Sequence, residues 1–213
     1  MEKYLDLVQY KVPISQRIVD GLKRLNDRVI QTHRYQVYEF EDTKKVKPFI
    51  HDVFDLMNQT YTPIFGYSPI TKNEANEFAE RFLPLLNPRL IKIITNPQHQ
   101  VVAFIVAMSD IADGLKKSNG KIWPIGWFHL LRAMKTSKRL VLLLGAVSSD
   151  ARHKGLDAVL GYHLLRSAQH EGFSELDSHL IMESNYKMRR EIERLQGMEL
   201  YKRYTIFQKE LSR

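Results

Sequence analysis

The segment Ser148-Ser149-Asp150-Ala151-Arg152-His153-Lys154-Gly155-Leu156-Asp157-Ala158 stands between an apolar run, Leu140 to Val147, and a helical pattern. A turn of this kind points successive backbone N–H groups at one spot, and the N-terminus of the helix adds partial positive charge. The chemistry it suits is the binding of an anion such as a pyrophosphate. Gly155 permits close approach of a ligand, and Arg152 and Lys154 add charge. Taken alone, the segment reads equally as a basic turn between strand and helix.

A second set is titratable. Alternation along Leu176 to Met182 sets Asp177, His179, Ile181 and Glu183 on one face of a strand, with Glu183 at its end, where a carboxylate can act as a base. Glu183 also suits a helix-entry carboxylate that satisfies backbone donors near Asn185, and His179 a half-buried structural histidine. Tyr186, Tyr201 and Tyr204 are the nearby phenols, and the last two fit the core and edge of a final strand as well as they fit chemistry. The histidines show no H-E-x-x-H spacing, so a metal centre is not expected. The absence of cysteine excludes disulfides, thiolate catalysis and thiolate metal sites, and suits a reducing compartment.

The elements that must position these residues follow from periodicity. Ile14, Ile18, Leu22, Leu25 and Val29 predict a helix from Ile14 to Thr32, and Arg34 to Phe40 alternates as a strand. Asp42 and Thr43 offer a cap for a helix with Val46, Phe49, Ile50, Val53, Phe54 and Met57 on its apolar face, before a breaker loop with Pro63, Gly66 and Pro69. Thr71 and Glu74 form a capping box for a helix that stops at Pro84. Leu90 to Thr95 and Val101 to Met108 flank a hairpin turn. A Gly/Lys/Asn-rich loop leads to Trp123-Pro124 and a helix through Met134, whose Trp127, Leu130 and Leu131 are read as covering the core. Leu140 to Val147 predicts a strand covered on both faces, followed by a helix to Gly172, a strand, a helix from Asn185 to Gln196 and a last strand from Leu200 to Lys209. The expected organisation is an N-terminal helical extension, residues 1–33, and one α/β domain, residues 34–213.

Composition bounds the function. An apolar share of 44% and a charged share of 26% are those of a globular chain. No apolar stretch approaches the roughly 20 residues that a spanning helix needs. Met1 to Tyr10, with Glu2, Lys3 and Asp6, lacks the basic start and apolar run of a signal peptide, so a cytoplasmic location and no membrane partner are expected. The net charge of +8 attracts polyanions. It gathers from Lys116 to Arg139, with no carboxylate between Asp113 and Asp150. These basic residues are read as not interleaved with exposed aromatics on a recognised nucleic-acid module, which disfavours nucleic acid as the partner.

With Val147, Arg152 and Gly155 at matching positions, the strand, turn and helix resemble the GNAT superfamily, whose V-x-P-x-x-R/Q-x-x-G-x-G/A signature binds the pyrophosphate of acyl-coenzyme A. Ser149 stands in place of the usual proline and Asp157 in place of the last small residue. Glu183-Ser184-Asn185, Met188, and Tyr201-Lys202-Arg203-Tyr204-Thr205-Ile206-Phe207 are similar to a little-characterised bacterial branch, in which G-[IL]-D-A is common, as in Gly155-Leu156-Asp157-Ala158. Members of that branch often carry additional sequence before this domain. The resemblance implies a central mixed, mostly antiparallel twisted sheet flanked by helices, and an acetyl-coenzyme A or other acyl-coenzyme A donor without a metal. It implies donor binding by Ala146, Val147, Arg152, His153, Lys154, Gly155, Leu156, Asp157 and Asn185, with the backbone N–H of Val147 or Ala146 at the thioester carbonyl. Glu183 is then the base. Relatives carry an acidic tyrosine in the last helix, where this chain has Glu193, and Tyr201 is the substitute. The expected partners are an amine acceptor, an acidic acyl-carrier protein as alternative donor on the basic zone, and a second copy of the chain. The competing reading is a domain of this fold that binds without catalysing.

Overall fold

The computed structural model describes residues 2–121 and 126–209. The chain divides into two compact units, one of residues 19–108 and 143–171 and the other of residues 1–18, 109–142 and 172–213.

In the first unit β2 (Gln36–Glu39), β3 (Ile91–Thr95) and β4 (Val101–Ser109) are antiparallel neighbours, and the second half of β5 (Arg139–Val147) lies beside β4. Every residue of β3 is buried, Lys92 included. Two apolar clusters form around these strands. One joins Ile91, Ile93 and Phe104 to Phe54, Leu56 and Met57 of α2 (Ile50–Tyr61) and Ala75 of α3 (Lys72–Phe82). The other joins Ile94 and Ala103 to Leu156, Val159 and Leu160 of α6 (Leu156–His170). The Thr71 capping box forms as the sequence predicts, with its hydroxyl accepting the Glu74 N–H and the Glu74 carboxylate accepting the Thr71 N–H. The predicted hairpin is present as β3 and β4.

In the other unit β1 (Glu2–Pro13) is the organising strand. It pairs along one edge with β8 (Glu199–Gln208) and along the other, in turn, with β6 (Glu175–Asp177) and β7 (Ile181–Met182), all antiparallel. The first residues of β5, Arg139–Val141, run parallel to β6. Helix α1 (Gln16–His33) follows β1 in the chain and from Val19 on belongs to the first unit, while α4 (Ala112–Lys117), α5 (Gly126–Thr136) and α7 (Tyr186–Glu193) are the helices of this one.

Several expectations change. Glu2–Pro13, placed by the sequence in a helical extension, is a strand, and only α1 is helical there. Asp6, Val8, Tyr10 and Val12 face inward, and an aspartate on the buried face beside Leu5 and Leu7 on the other hides the period of two. Leu140 to Val147 is not covered on both faces: Leu140 is fully buried, most of the rest half-buried, and Gly145 exposed. Leu176 to Met182 is not one strand. The register on β1 slips by one residue between Lys11↔Asp177 and Val8↔Ile181, so Ile181 and Glu183 face away from Asp177 rather than continuing its row. Part of the Gly/Lys/Asn-rich loop is α4. Trp127 and Leu131 on α5 are exposed rather than covering the core, whereas Leu130 is half-buried. Trp123-Pro124, the predicted entry to that helix, lies outside the described residues.

Candidate functional site: a strand, an anion turn and a tyrosine on the strand's edge

The turn after β5 begins as a single 3-10 turn, Ser149–Ala151, in which the Ala151 N–H reaches Ser148 O. Arg152 N–H then donates to Ser149 O and Lys154 N–H to Ala151 O, both at 3.3 Å. His153 (φ 65°) and Gly155 (φ 77°) are left-handed. The reversal at these two residues turns the chain into α6, and glycine is the residue that adopts it without strain. Among the described residues, the amides of His153, Gly155, Leu156 and Asp157 engage no backbone acceptor. Those of Leu156 and Asp157 sit in the first turn of a fifteen-residue helix, where the N–H groups are orphaned and the partial charge is positive. Arg152, His153 and Lys154 are exposed around them. Leu156 is fully buried, and its side chain belongs to the apolar cluster with Ile94 and Ala103. The Asp157 carboxylate is exposed in the same turn, where it complements the helix dipole.

Upstream, Ser148 N–H donates to Val102 O of β4 at 2.8 Å. Strand alternation therefore aims the backbone groups of Ala146 toward β4 and those of Gly145 and Val147 toward the opposite edge. On that edge the Tyr61 hydroxyl, from the last residue of α2, accepts the Gly145 N–H at 3.0 Å and donates to Gly145 O at 2.9 Å. Burial pushes the Tyr61 phenol above its ordinary range, partly opposed by the Gly145 backbone. Next to this point lies an apolar cavity of about 80 Å³ lined by Phe54, Met57, Phe78, Phe104 and Leu144 among others.

The other unit holds the remaining titratable groups. Asp177, buried, accepts from Gln9 Nε2 at 2.6 Å and from the Tyr201 hydroxyl. Burial first, and then the Asp177 carboxylate, push the Tyr201 phenol upward, so it keeps its proton. Tyr201 and Asp177 line a cavity of about 750 Å³, together with Lys116, Lys117, Arg132 and Lys138 of the basic zone. Arg139, also in its wall, is held by Glu175 at 2.6 Å and Asp110 at 3.2 Å. Glu183 Oε1 lies 3.0 Å from the Arg203 guanidinium. Asn185 caps α7 by accepting the Met188 N–H, and Glu193 accepts from Tyr10 and Arg189.

No family model matches the chain. It is 26% identical over 199 residues to protein YghO of Escherichia coli (strain K12), across 90% of this chain and 49% of that protein. It is 19% identical over 176 residues to the bacterial ceramide synthase of Caulobacter vibrioides (strain NA1000 / CB15N), across 80% of this chain and 45% of that protein. The crystal structure of a GCN5-related N-acetyltransferase from Sphaerobacter thermophilus superposes with a TM-score of 0.58 at 11% identity, over 96% of this chain and 51% of that one. The fold is that of the GNAT acyl-coenzyme A N-acyltransferases. The chain spans about half the length of the curated relatives it matches.

Within this GNAT fold the structure gathers Ala146, Val147 and Arg152 to Asp157 on one strand, turn and helix of the first unit, and carries Glu183, Asn185 and Tyr201 in the other. Asp177, His179 and Glu183 do not form a row: His179 is exposed, and Glu183 is paired with an arginine. Two groups escaped sequence reasoning, Gly145 and Tyr61. The Pro63 and Gly66 breakers after Tyr61 mark only the end of a helix, and nothing local ties its hydroxyl to a residue 84 positions on. No cluster of three or more His, Cys, Asp or Glu that could hold a metal occurs among the described residues, and no helix there is long and apolar enough to cross a membrane.

Proposed function

We propose that the chain is an N-acyltransferase that takes an acyl group from acyl-coenzyme A and passes it to an amine. The observation that carries this reading is the turn from Ser149 to Asp157, with unengaged amides at the N-terminus of α6 and with Arg152 and Lys154 beside them. A pyrophosphate suits that cluster of donors. An arm that carries amides, as pantetheine does, suits the edge of β5, where Val147 presents N–H and C=O groups that pair as a neighbouring strand would, and where Gly145 would do so in place of its contact with Tyr61. The thioester oxygen then takes an edge-facing N–H, where negative charge develops during transfer. Alternation favours Val147, or Gly145, over Ala146 for that donor.

The apolar cavity at Phe54, Met57 and Leu144 favours an aliphatic acyl group over a polar one. One relative is named a ceramide synthase, and a ceramide is a fatty amide; this supports an acyl transfer that makes an amide. Glu183 remains the candidate base and Tyr201 a phenol that holds its proton.

Acyl-coenzyme A should raise the melting temperature, because a ligand that binds only the folded state stabilises it by about 2.7 kcal/mol at a hundred times its dissociation constant. Arg152→Glu should abolish the shift, and an amine panel should show turnover that Glu183→Gln removes. No shift at millimolar acetyl-coenzyme A and with a medium-chain acyl-coenzyme A would sink the reading. A shift without turnover across the panel would instead mark a binding domain.

A further inference from the structure

Helix α5 packs one side of its circumference and turns the other to solvent. The packed side meets α4 at Gly114, where an added Cβ would lie 2.7 Å from His129 O and 3.0 Å from Ala133 Cβ, and Leu130 and Met134 are half-buried. At about 100° per residue, the remaining arc carries Trp127, Phe128, Leu131, Arg132 and Lys135, all exposed. Trp127 is 49% exposed, Phe128 55% and Leu131 45%, and the two rings meet edge-on with centroids 6.4 Å apart. One exposed apolar side chain is ordinary. Three at i, i+1 and i+4 on a single helix make a patch that the core has not taken up.

The charges around the patch are of one sign. Lys116, Lys117, Lys121, Arg132 and Lys135 are exposed, and none of them enters an ion pair among the described residues. The sequence supplies no carboxylate between Asp113 and Asp150 to balance them. A second copy seated on the patch would bring these cations against their own counterparts, as a two-fold contact does, so self-association is disfavoured. Tryptophan, phenylalanine and leucine flanked by long basic side chains are the composition of a helix that lies in the headgroup layer of a bilayer. There an indole sits at headgroup level, and Arg132 and Lys135 lay their stems along acyl chains while their charged ends reach the phosphates.

We propose that the outward face of α5 docks the chain on the surface of an anionic lipid bilayer. The expectation of no membrane partner was drawn from the lack of a spanning or leader segment, and a helix in the interface needs neither. The lysines of α4 add attraction from the same compact unit. The proposal does not depend on the acyl-coenzyme A reading.

The test uses the whole chain and two kinds of vesicle, phosphatidylcholine alone and phosphatidylcholine with about a third of phosphatidylglycerol. The chain should sediment with the anionic vesicles, at least about tenfold more tightly than with the neutral ones, and raised salt should release it. Arg132→Glu with Lys135→Glu should weaken that binding at least about tenfold, at about 1 kcal/mol for each basic residue near the surface. Trp127→Ser with Phe128→Ser and Leu131→Ser should remove it with little change in melting temperature, since these side chains are exposed. Trp123→Phe leaves Trp127 as the sole tryptophan, whose emission should move to the blue on anionic vesicles and be quenched by brominated acyl chains. Equal binding to both vesicles, binding that survives the serine substitutions, or Trp127 emission untouched by brominated lipid each overturns the proposal. So does a chain that ignores vesicles and instead uses the patch for a dimer in sedimentation velocity or for an acidic acyl-carrier protein.

Discussion

At Glu39 a partly exposed carboxylate collects Lys92 Nζ at 2.7 Å, His163 Nδ1 at 3.2 Å and the Arg166 guanidinium. The His163 imidazole, and after it the Lys92 ammonium, hold the Glu39 carboxyl well below the usual carboxylate range, against the pull of its own burial. Lys92 shows the other side of the pair. Its dehydration outweighs what Glu39 returns, so its ammonium sits below its usual range, and the contact fixes geometry more than it adds stability. Because the folded carboxyl titrates below its unfolded value of about 4.3, the native state binds fewer protons there. Its contribution is complete above that value and is lost as pH falls toward the folded one. The urea midpoint of the wild type should drop between pH 5 and pH 3, and Glu39→Gln should flatten that drop. An identical drop in the variant would show that other carboxylates carry the acid sensitivity.

Gly155 governs how the turn passes into α6. Its φ of 77° lies in the region that costs a residue with a Cβ about 1–2 kcal/mol, and a Cβ there would come within 2.9 Å of Val29 Cγ2, on a branched side chain with little freedom to move. Gly155→Ala should therefore lower unfolding free energy by about 1–2 kcal/mol in urea titrations. It should also speed amide exchange in the first turn of α6 ahead of the rest of the helix. Elements with a clean period were legible in the sequence: α1, α6, the capped α3 and the β3–β4 hairpin each carry their own start, stop or turn residues. The strands of the other unit were not. Asp6 on the inner face of β1 and the one-residue slip between β6 and β7 break the alternation on which such a reading depends. The turn from Ser149 into α6 was legible as a turn because its residues are consecutive along the chain. The contact between Tyr61 and Gly145 was not, because it exists only once α2 and β5 have packed.

For the molecule as a whole, the excess of +8 is not spread evenly. Lys116, Lys117, Arg132 and Lys138 share the wall of one large cavity with Tyr201 and Asp177. If an acidic acyl-carrier protein is the donor, this is the surface that should attract it. Its affinity, followed by fluorescence anisotropy, should then fall at least about tenfold between 50 and 300 mM salt as the screening length contracts below about 10 Å. Lys116→Glu with Lys117→Glu should remove most of that binding, and an affinity indifferent to salt would exclude the surface. The long central strand β1 has a different consequence, which concerns biosynthesis. Gln9 meets Asp177, 168 residues later, and Asp6 meets Thr205, 199 residues later. At translation rates of about 5–20 residues per second, β1 leaves the ribosome roughly ten to thirty seconds before its first partner strand exists. Through that interval a twelve-residue strand with both edges bare must be kept from pairing with a neighbouring nascent chain.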